Sequence, residues 1–135
     1  MPYVTTTTSY YFFDKKNDAA RERELLREHT EAPLRERRLF CARCRHPITA
    51  MDQRIAMNGA PEHDVVNPLG LRFHIACFRR APGCSVSDEG TLEHTWFAGY
   101  TWSVATCAHC HAHLGWMFRS AEDAFFGLIV DRLTN

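Results

Sequence analysis

The sequence has little with which to hold a polyanion or a membrane. Sixteen Lys and Arg offset sixteen Asp and Glu, so the formal net charge is zero. No global positive field exists to gather nucleic acid or anionic lipid. No apolar run approaches the ~20 residues that a membrane-spanning helix needs. The N-terminus, Met1-Pro2-Tyr3 followed by four threonines, lacks the basic and apolar regions of a secretory signal. Internal repeats, a phosphate-binding loop and a dinucleotide fingerprint are also missing. Seven glycines and six prolines beside 45% hydrophobic residues argue against a collagen-like or mostly disordered chain. The expectation is a cytoplasmic monomer with no nucleic-acid and no membrane partner. Its 135 residues allow one domain plus an arm and a real core, so cysteines need not carry the whole fold.

What is present begins with six cysteines. Four form two knuckles, Cys41-Ala-Arg-Cys44 and Cys107-Ala-His-Cys110. A C-x2-C turn aims two thiolates at one point, and two such turns supply the four soft ligands of a tetrahedral structural Zn2+ site. The knuckles lie far apart in sequence, so a small domain must sit between them. Two disulfides in a secreted protein are the alternative, and the missing signal argues against them. Cys77 continues the alternation Leu71, Phe73, Ile75 and reads as a buried structural thiol. Cys84 follows Pro82-Gly83 in a turn, and nothing marks it as a nucleophile.

The chain divides in character near the first knuckle. Residues 1–38 read as an arm: an aromatic and Thr-rich start, then a mixed-charge run. Within it Asp18 can cap a helix that Pro33 ends. Its apolar stripe is thin, so it reads as a solvated helix or flexible segment. Residues 39–135 read as a β domain. Strand-like alternation marks 53–57, 71–77, 92–96, 101–106, 114–118 and 125–133. Turn signals separate these runs, among them Asn58-Gly59, Asn67-Pro68-Leu69-Gly70 and Ala98-Gly99. The fold class predicted is a small antiparallel all-β domain, pinned near its start and near its end by zinc.

All three tryptophans, Trp96, Trp102 and Trp116, fall in one short stretch. Trp116 and Phe118 share a strand face, as do Trp102 and Val104. Trp96 and Trp102 bracket a turn in which Gly99 can take positive φ. Filling the core is the ordinary use of such residues. A three-walled aromatic box open to solvent is the functional reading.

Four segments now carry a resemblance. They are Asn67-Pro68-x-Gly70, the run from Glu93-His94-Thr95-Trp96 through Gly99-Tyr100-Thr101-Trp102, Cys107-x2-Cys110-x2-His113-Leu114-Gly115-Trp116-x-Phe118, and Phe126-Gly127-Leu128-Ile129. Together they resemble the thalidomide-binding (CULT) domain family of cereblon, which includes short single-domain bacterial members, over about residues 39–133. The resemblance implies a β-tent of two antiparallel sheets pinned near one structural zinc. It implies a cage of Trp96, Trp102 and Trp116 with Phe118 at its base. His94 and Trp96 would offer backbone groups to a ligand edge, and Asn67 would sit at the mouth. The implied ligands are neutral cyclic imides of the glutarimide and thalidomide class and uracil-like rings. An imide edge reads acceptor–donor–acceptor, which a strand backbone complements, and indole faces pack its ring carbons.

Ala98 departs from that family, where Pro is usual, and frees φ at one turn position. The chain is too short for the Lon-like domain and adaptor-docking segment of a whole cereblon, so no ubiquitin-ligase adaptor is implied. No catalytic residue is assigned and the expectation is a binder, not an enzyme. The β-tent is shared with zinc-containing methionine sulfoxide reductase B, which needs a reactive Cys on a late strand, and no Cys follows Cys110. A catalytically dead relative of that enzyme stays open, as does a methyl-ammonium reader in which Glu93 would help a cation–π cage. His109, His111 and His113 read as surface histidines, because four Cys already complete a tetrahedral site. A shortened chain starting near Arg38 is expected to keep zinc and ligand affinity. Comparing it with the full chain by elemental analysis and ligand titration checks this, and loss of binding with zinc retained would give the arm a role at the pocket.

Overall fold

The computed structural model describes residues 37–87 and 89–135, and the predicted helix after Asp18 lies outside them. Among the described residues nine strands form: β1 (Arg38–Cys41), β2 (Pro47–Ala50), β3 (Glu62–Val66), β4 (Arg72–Phe78), β5 (Cys84–Val86), β6 (Thr101–Cys107), β7 (His113–Arg119), β8 (Ala124–Ile129) and β9 (Leu133–Thr134). They build two sheets, β2-β1-β9 and β3-β4-β8-β7-β6-β5. Every strand pair within them is antiparallel. The all-β, two-sheet class expected from sequence is the one found. Among the described residues no helix is long and apolar enough to cross a membrane.

Period-two patterning explains why the large sheet is covered on both sides. In β4, Ile75 and Cys77 face one way and Ala76 and Phe78 the other, and all four are buried. One face packs Ala76, Phe78 and Leu128 with Cys41, Ile48 and Cys107, toward the small sheet and the knuckles. The opposite face carries Ile75, Phe118, Phe125 and Ile129 with the tryptophans. The sheet therefore separates a sulfur-rich core from an aromatic one.

A bulge in β7 adjusts the register between these cores. Ala105 pairs Gly115 while Thr106 pairs His113, so Leu114 is the extra residue. Gly115 is required there by close approach: a Cβ would meet the Gly127 carbonyl oxygen at 2.1 Å.

Two predicted strands take other forms. Residues 53–57 give a 3-10 turn, Met51–Gln53, and isolated bridges at Arg54 and Met57. The tight reversal at Asn58-Gly59, both at positive φ, leaves too little length for a ladder. Residues 92–96 turn instead of running straight. The Thr95 N–H donates to Leu92 O, and His94 sits at φ 61°. Leu92 is left 58% exposed, although its alternation with His94 and Trp96 suggested an inward face. The run at 125–133 splits, with β8 in the large sheet and β9 crossing to pair with β1.

On β3 and β4, His74 donates through Nδ1 to Asp64 (2.7 Å) and through Nε2 to Glu62 (2.6 Å), while Arg54 donates to Glu62 (3.0 Å). Asp64 and then Glu62 raise the His74 pKa, and His74 with Arg54 lowers that of Glu62. The imidazolium's contribution is complete below its unfolded pKa and fades as pH rises through the raised folded value. That of Glu62 is complete above its unfolded pKa and fades as pH falls through the depressed one. Thermal melts are expected to lose stability on alkalinisation just above the ordinary histidine range, by less than about 1 kcal/mol because the groups are exposed. His74→Asn should flatten that slope, and an unchanged slope in the variant would refute the assignment.

Candidate functional site

The two knuckles converge as their spacing requires. Cys41 ends β1, Cys107 ends β6, and each is followed by a turn that closes through an N–H to the cysteine carbonyl, from Arg45 and His111 respectively. Both closing residues take positive φ. Cys41 Sγ lies 3.7 Å from Cys110 Sγ, and Cys44 Sγ lies 3.6 Å from Cys107 Sγ. All four sulfurs fall within 4.8 Å of one another. Four sulfurs bound tetrahedrally at zinc–thiolate length would stand ~3.8 Å apart, so the set fits Zn2+. No cysteine is disulfide-bonded.

The thiols are electrostatically inequivalent. Burial, with neighbouring thiols as hydrogen-bond partners, pushes Cys44 up to about 12. Burial opposes ionisation of Cys107 too, but N–H groups of Cys110 and His109 point at its sulfur and draw it down to about 7. Burial pushes Cys84 up to about 12 and Cys77 up to about 11. His46 and His109 stack, ring centroids 5.6 Å apart, across the knuckle tips.

On the opposite face of the large sheet the register sets Trp102 opposite Phe118 and Val104 opposite Trp116. Trp96 enters from the 91–100 loop and meets Trp116 edge-on at 4.8 Å. The Trp96 Nε1–H donates to Val66 O (3.0 Å), and the Trp102 Nε1–H donates to Glu93 O (2.7 Å). Each indole is thus fixed by its polar edge, which leaves its faces for packing. Trp96 and Trp102 are half-buried, whereas Trp116 is 6% exposed and Phe118 fully buried. Phe118 supports the cluster from beneath.

His94 is exposed, and its backbone reverses the chain at the loop tip. Thr95 braces the loop: its hydroxyl donates to Tyr100 O (2.7 Å) and accepts from the Phe97 N–H. Among the described residues, the backbone N–H and C=O groups of His94 and Trp96 have no hydrogen-bond partner. Asn67 spends its side-chain carbonyl on the N–H groups of Leu69 and Leu71, both at 2.9 Å, and so shapes the β3–β4 turn. Its amide NH2 is the group left to offer. The turn holding Ala98 closes without proline: Tyr100 N–H donates to Phe97 O (2.9 Å), with Gly99 at φ 87°.

Sequence reasoning missed three rings, and one of them, His113, read as a surface histidine, is half-buried, meets Trp116 edge-on at 4.9 Å and donates through Nε2 to Gly115 O at 2.9 Å. Phe97 is buried against Phe118 and Phe125 at 4.8 and 5.0 Å and anchors the loop that carries Trp96. Its inward position could have been found from its place between two outward tryptophans. Phe73 meets Trp116 edge-on at 5.2 Å, and the Arg132 guanidinium covers it at 5.9 Å. It shares a face with Ile75 and Cys77, the alternation already visible in sequence.

Fold and metal set together define a zinc-binding β-domain. A family model described as Yippee zinc-binding/DNA-binding/Mis18, centromere assembly, matches residues 37–132, and the chain belongs to that Yippee-Mis18 family. The particular similarity is to cereblon. Cereblon of Gallus gallus is 30% identical over 86 residues, covering 62% of this chain and 19% of that protein. Cereblon of Danio rerio is 28% identical over 86 residues, covering 62% of this chain and 20% of that protein. Cereblon of Drosophila simulans is 28% identical over 100 residues, covering 66% of this chain and 16% of that protein. The chain thus spans a small part of the length of the relatives it matches.

One Zn2+ per chain is expected by elemental analysis. Removing it with a chelator should unfold the domain, because the ligands join β1 to β6. Cys107→Ser should lower metal content and solubility together. A folded, pure, metal-free protein would end this assignment.

Proposed function

We propose that this domain is a small-molecule binding module, not an enzyme, and that it takes neutral cyclic imides and uracil-like rings at the tryptophan cluster. One observation carries the reading: unspent backbone donors and acceptors of His94 and Trp96 lie on the same loop that supplies an indole wall. An imide edge, acceptor–donor–acceptor, is the complement of such a strip. Trp96, Trp102 and Trp116 then supply apolar area for the ring at low conformational cost. Phe118 backs them, and the Asn67 amide stands at the mouth. Similarity to cereblon across the same stretch supports the reading. Zinc is structural here, on the other side of the sheet. We propose action as a monomer, with no nucleic acid, membrane or ligase adaptor needed.

The test is a titration of intrinsic fluorescence with glutarimide, uracil, an N-methyl imide and a quaternary amine. Glutarimide or uracil is expected to quench emission. Trp102→Ala is the clean variant, because Trp102 is half-exposed whereas Trp116 also fills core. Removing such an aromatic wall should cost about 2 kcal/mol or more. N-methylation removes the only donor on the recognition edge and should cost a similar amount. Affinity should barely change with salt, because no charge is paired. An N-methyl imide that binds like its parent would sink edge recognition. Preference for the amine, falling steeply with ionic strength and with Glu93→Gln, would favour the cation reader.

A further inference from the structure

A fifth thiol belongs to the sulfur-rich corner without being one of the four converging ligands. Cys84 packs against the buried cluster that contains Cys41 and Cys107, and is itself only partly buried. It lies on β5, the edge strand of the large sheet, directly opposite Cys107 on β6. Residues opposite one another across an antiparallel pair project to the same face. The bonding shows which kind of pair this is. Ala108 N–H donates to Gly83 O on one side, and Ser87 N–H donates to Val104 O further along. The N–H of Cys84 goes to Ala81 O and that of Cys107 to Ala112 O, neither to the other. Cys84 and Cys107 therefore form a non-hydrogen-bonded pair, the kind whose Cα atoms approach to ~4.5 Å. That lies at the short end of the ~4.4–6.8 Å range in which a disulfide closes.

We propose that Cys84 and Cys107 are a redox pair, in which oxidation by hydrogen peroxide joins them in a disulfide and withdraws Cys107 from the metal-binding set. The Cys107 thiolate attacks one peroxide oxygen. The O–O bond breaks, leaving Cys107 as sulfenic acid and releasing hydroxide. The Cys84 sulfur then attacks the Cys107 sulfur. The S–S bond forms, the S–O bond breaks, and water leaves with the Cys84 proton. Two sulfurs together lose two electrons, and the peroxide gains them. Cys84 thus acts as the resolving thiol, giving up its proton to the departing oxygen as its sulfur attacks. A thiol reductant opens the linkage by thiol–disulfide exchange and so restores the ligand set.

The experiment uses the full-length zinc-loaded protein treated with hydrogen peroxide. Zinc release is followed with a colorimetric chelator, and disulfides are mapped by peptide mass spectrometry. Expected are release in step with a Cys84–Cys107 linkage, and return of zinc binding after dithiothreitol. Cys84→Ser should load one zinc and fold like the parent, since Cys84 is not a ligand, but its Cys107 should pass on to irreversible sulfinic acid, so that zinc binding recovers several-fold less after dithiothreitol. Cys84→Ala repeats the measurement should the serine disturb the corner. Full recovery of zinc binding after dithiothreitol in both variants would overturn the proposal. So would a map that joins two of the four ligands while Cys84 stays open to alkylation.

Discussion

Four sulfurs held within 4.8 Å of one another form a contact that a thiol-only core does not maintain by itself. Ionised, they repel; protonated, they are weak donors and acceptors that gain little from meeting. A divalent cation changes the sign of that interaction, and the geometry of the rest of the domain depends on it. Cys41 closes a strand of the small sheet and Cys107 closes a strand of the large one, so a metal held by the four cysteines would tie the two layers together. β9, only two residues long, pairs with β1 at the strand that ends in Cys41. Small domains with modest cores commonly need such a staple.

The aromatic face depends on the opposite principle, satisfaction of polar edges by the chain itself. An indole N–H buried without a partner costs more than most packing returns. Here the two half-buried tryptophans each give that hydrogen to a main-chain carbonyl, Val66 for Trp96 and Glu93 for Trp102. The rings are thereby oriented before anything binds. The 91–100 segment is braced through Thr95 and Phe97, and among the described residues the backbone groups of His94 and Trp96 are among those it leaves unpaired. Where a strand would have spent every second N–H on a ladder, this irregular loop keeps a polar edge available beside an apolar wall.

Much of this was legible from residues alone. Two C-x2-C knuckles can converge only on something that wants four sulfurs, and the spacing of the tryptophans survives intact in the β6–β7 register. The short strands were not legible. β1, β2 and β5 have three or four residues each, too few for a period of two to declare itself. β3 was hidden because its outward residues, Glu62 and Asp64, are charged and only Val65 is buried. The segment at 92–96 misled for a physical reason: alternation of Leu92, His94 and Trp96 mimics a strand, but a residue at positive φ breaks the pleat that alternation presupposes. Phe97 escaped notice because its neighbours looked more functional, although its ring fixes where they point.

The large sheet is what keeps the two chemistries apart while joining them mechanically. β6 carries Trp102 near its start and Cys107 at its end, and β7 runs back from the second knuckle to Trp116 and Phe118. A ligand at the indoles and a metal at the thiolates share no side chain, so neither site needs the other's charge. They share a register, and the bulge at Leu114 lies between them. Its geometry tolerates no side chain at Gly115, because the Gly127 carbonyl occupies that space. Gly127 is constrained less tightly, since a Cβ there would press on the side chains of Ile75 and Phe118 at 2.9 and 3.0 Å. Two glycines thus lock β7 to β8 at the level where the sulfur core ends and the aromatic core begins. The continuous backbone between the knuckle and the two strand-borne tryptophans is that of β6 and β7.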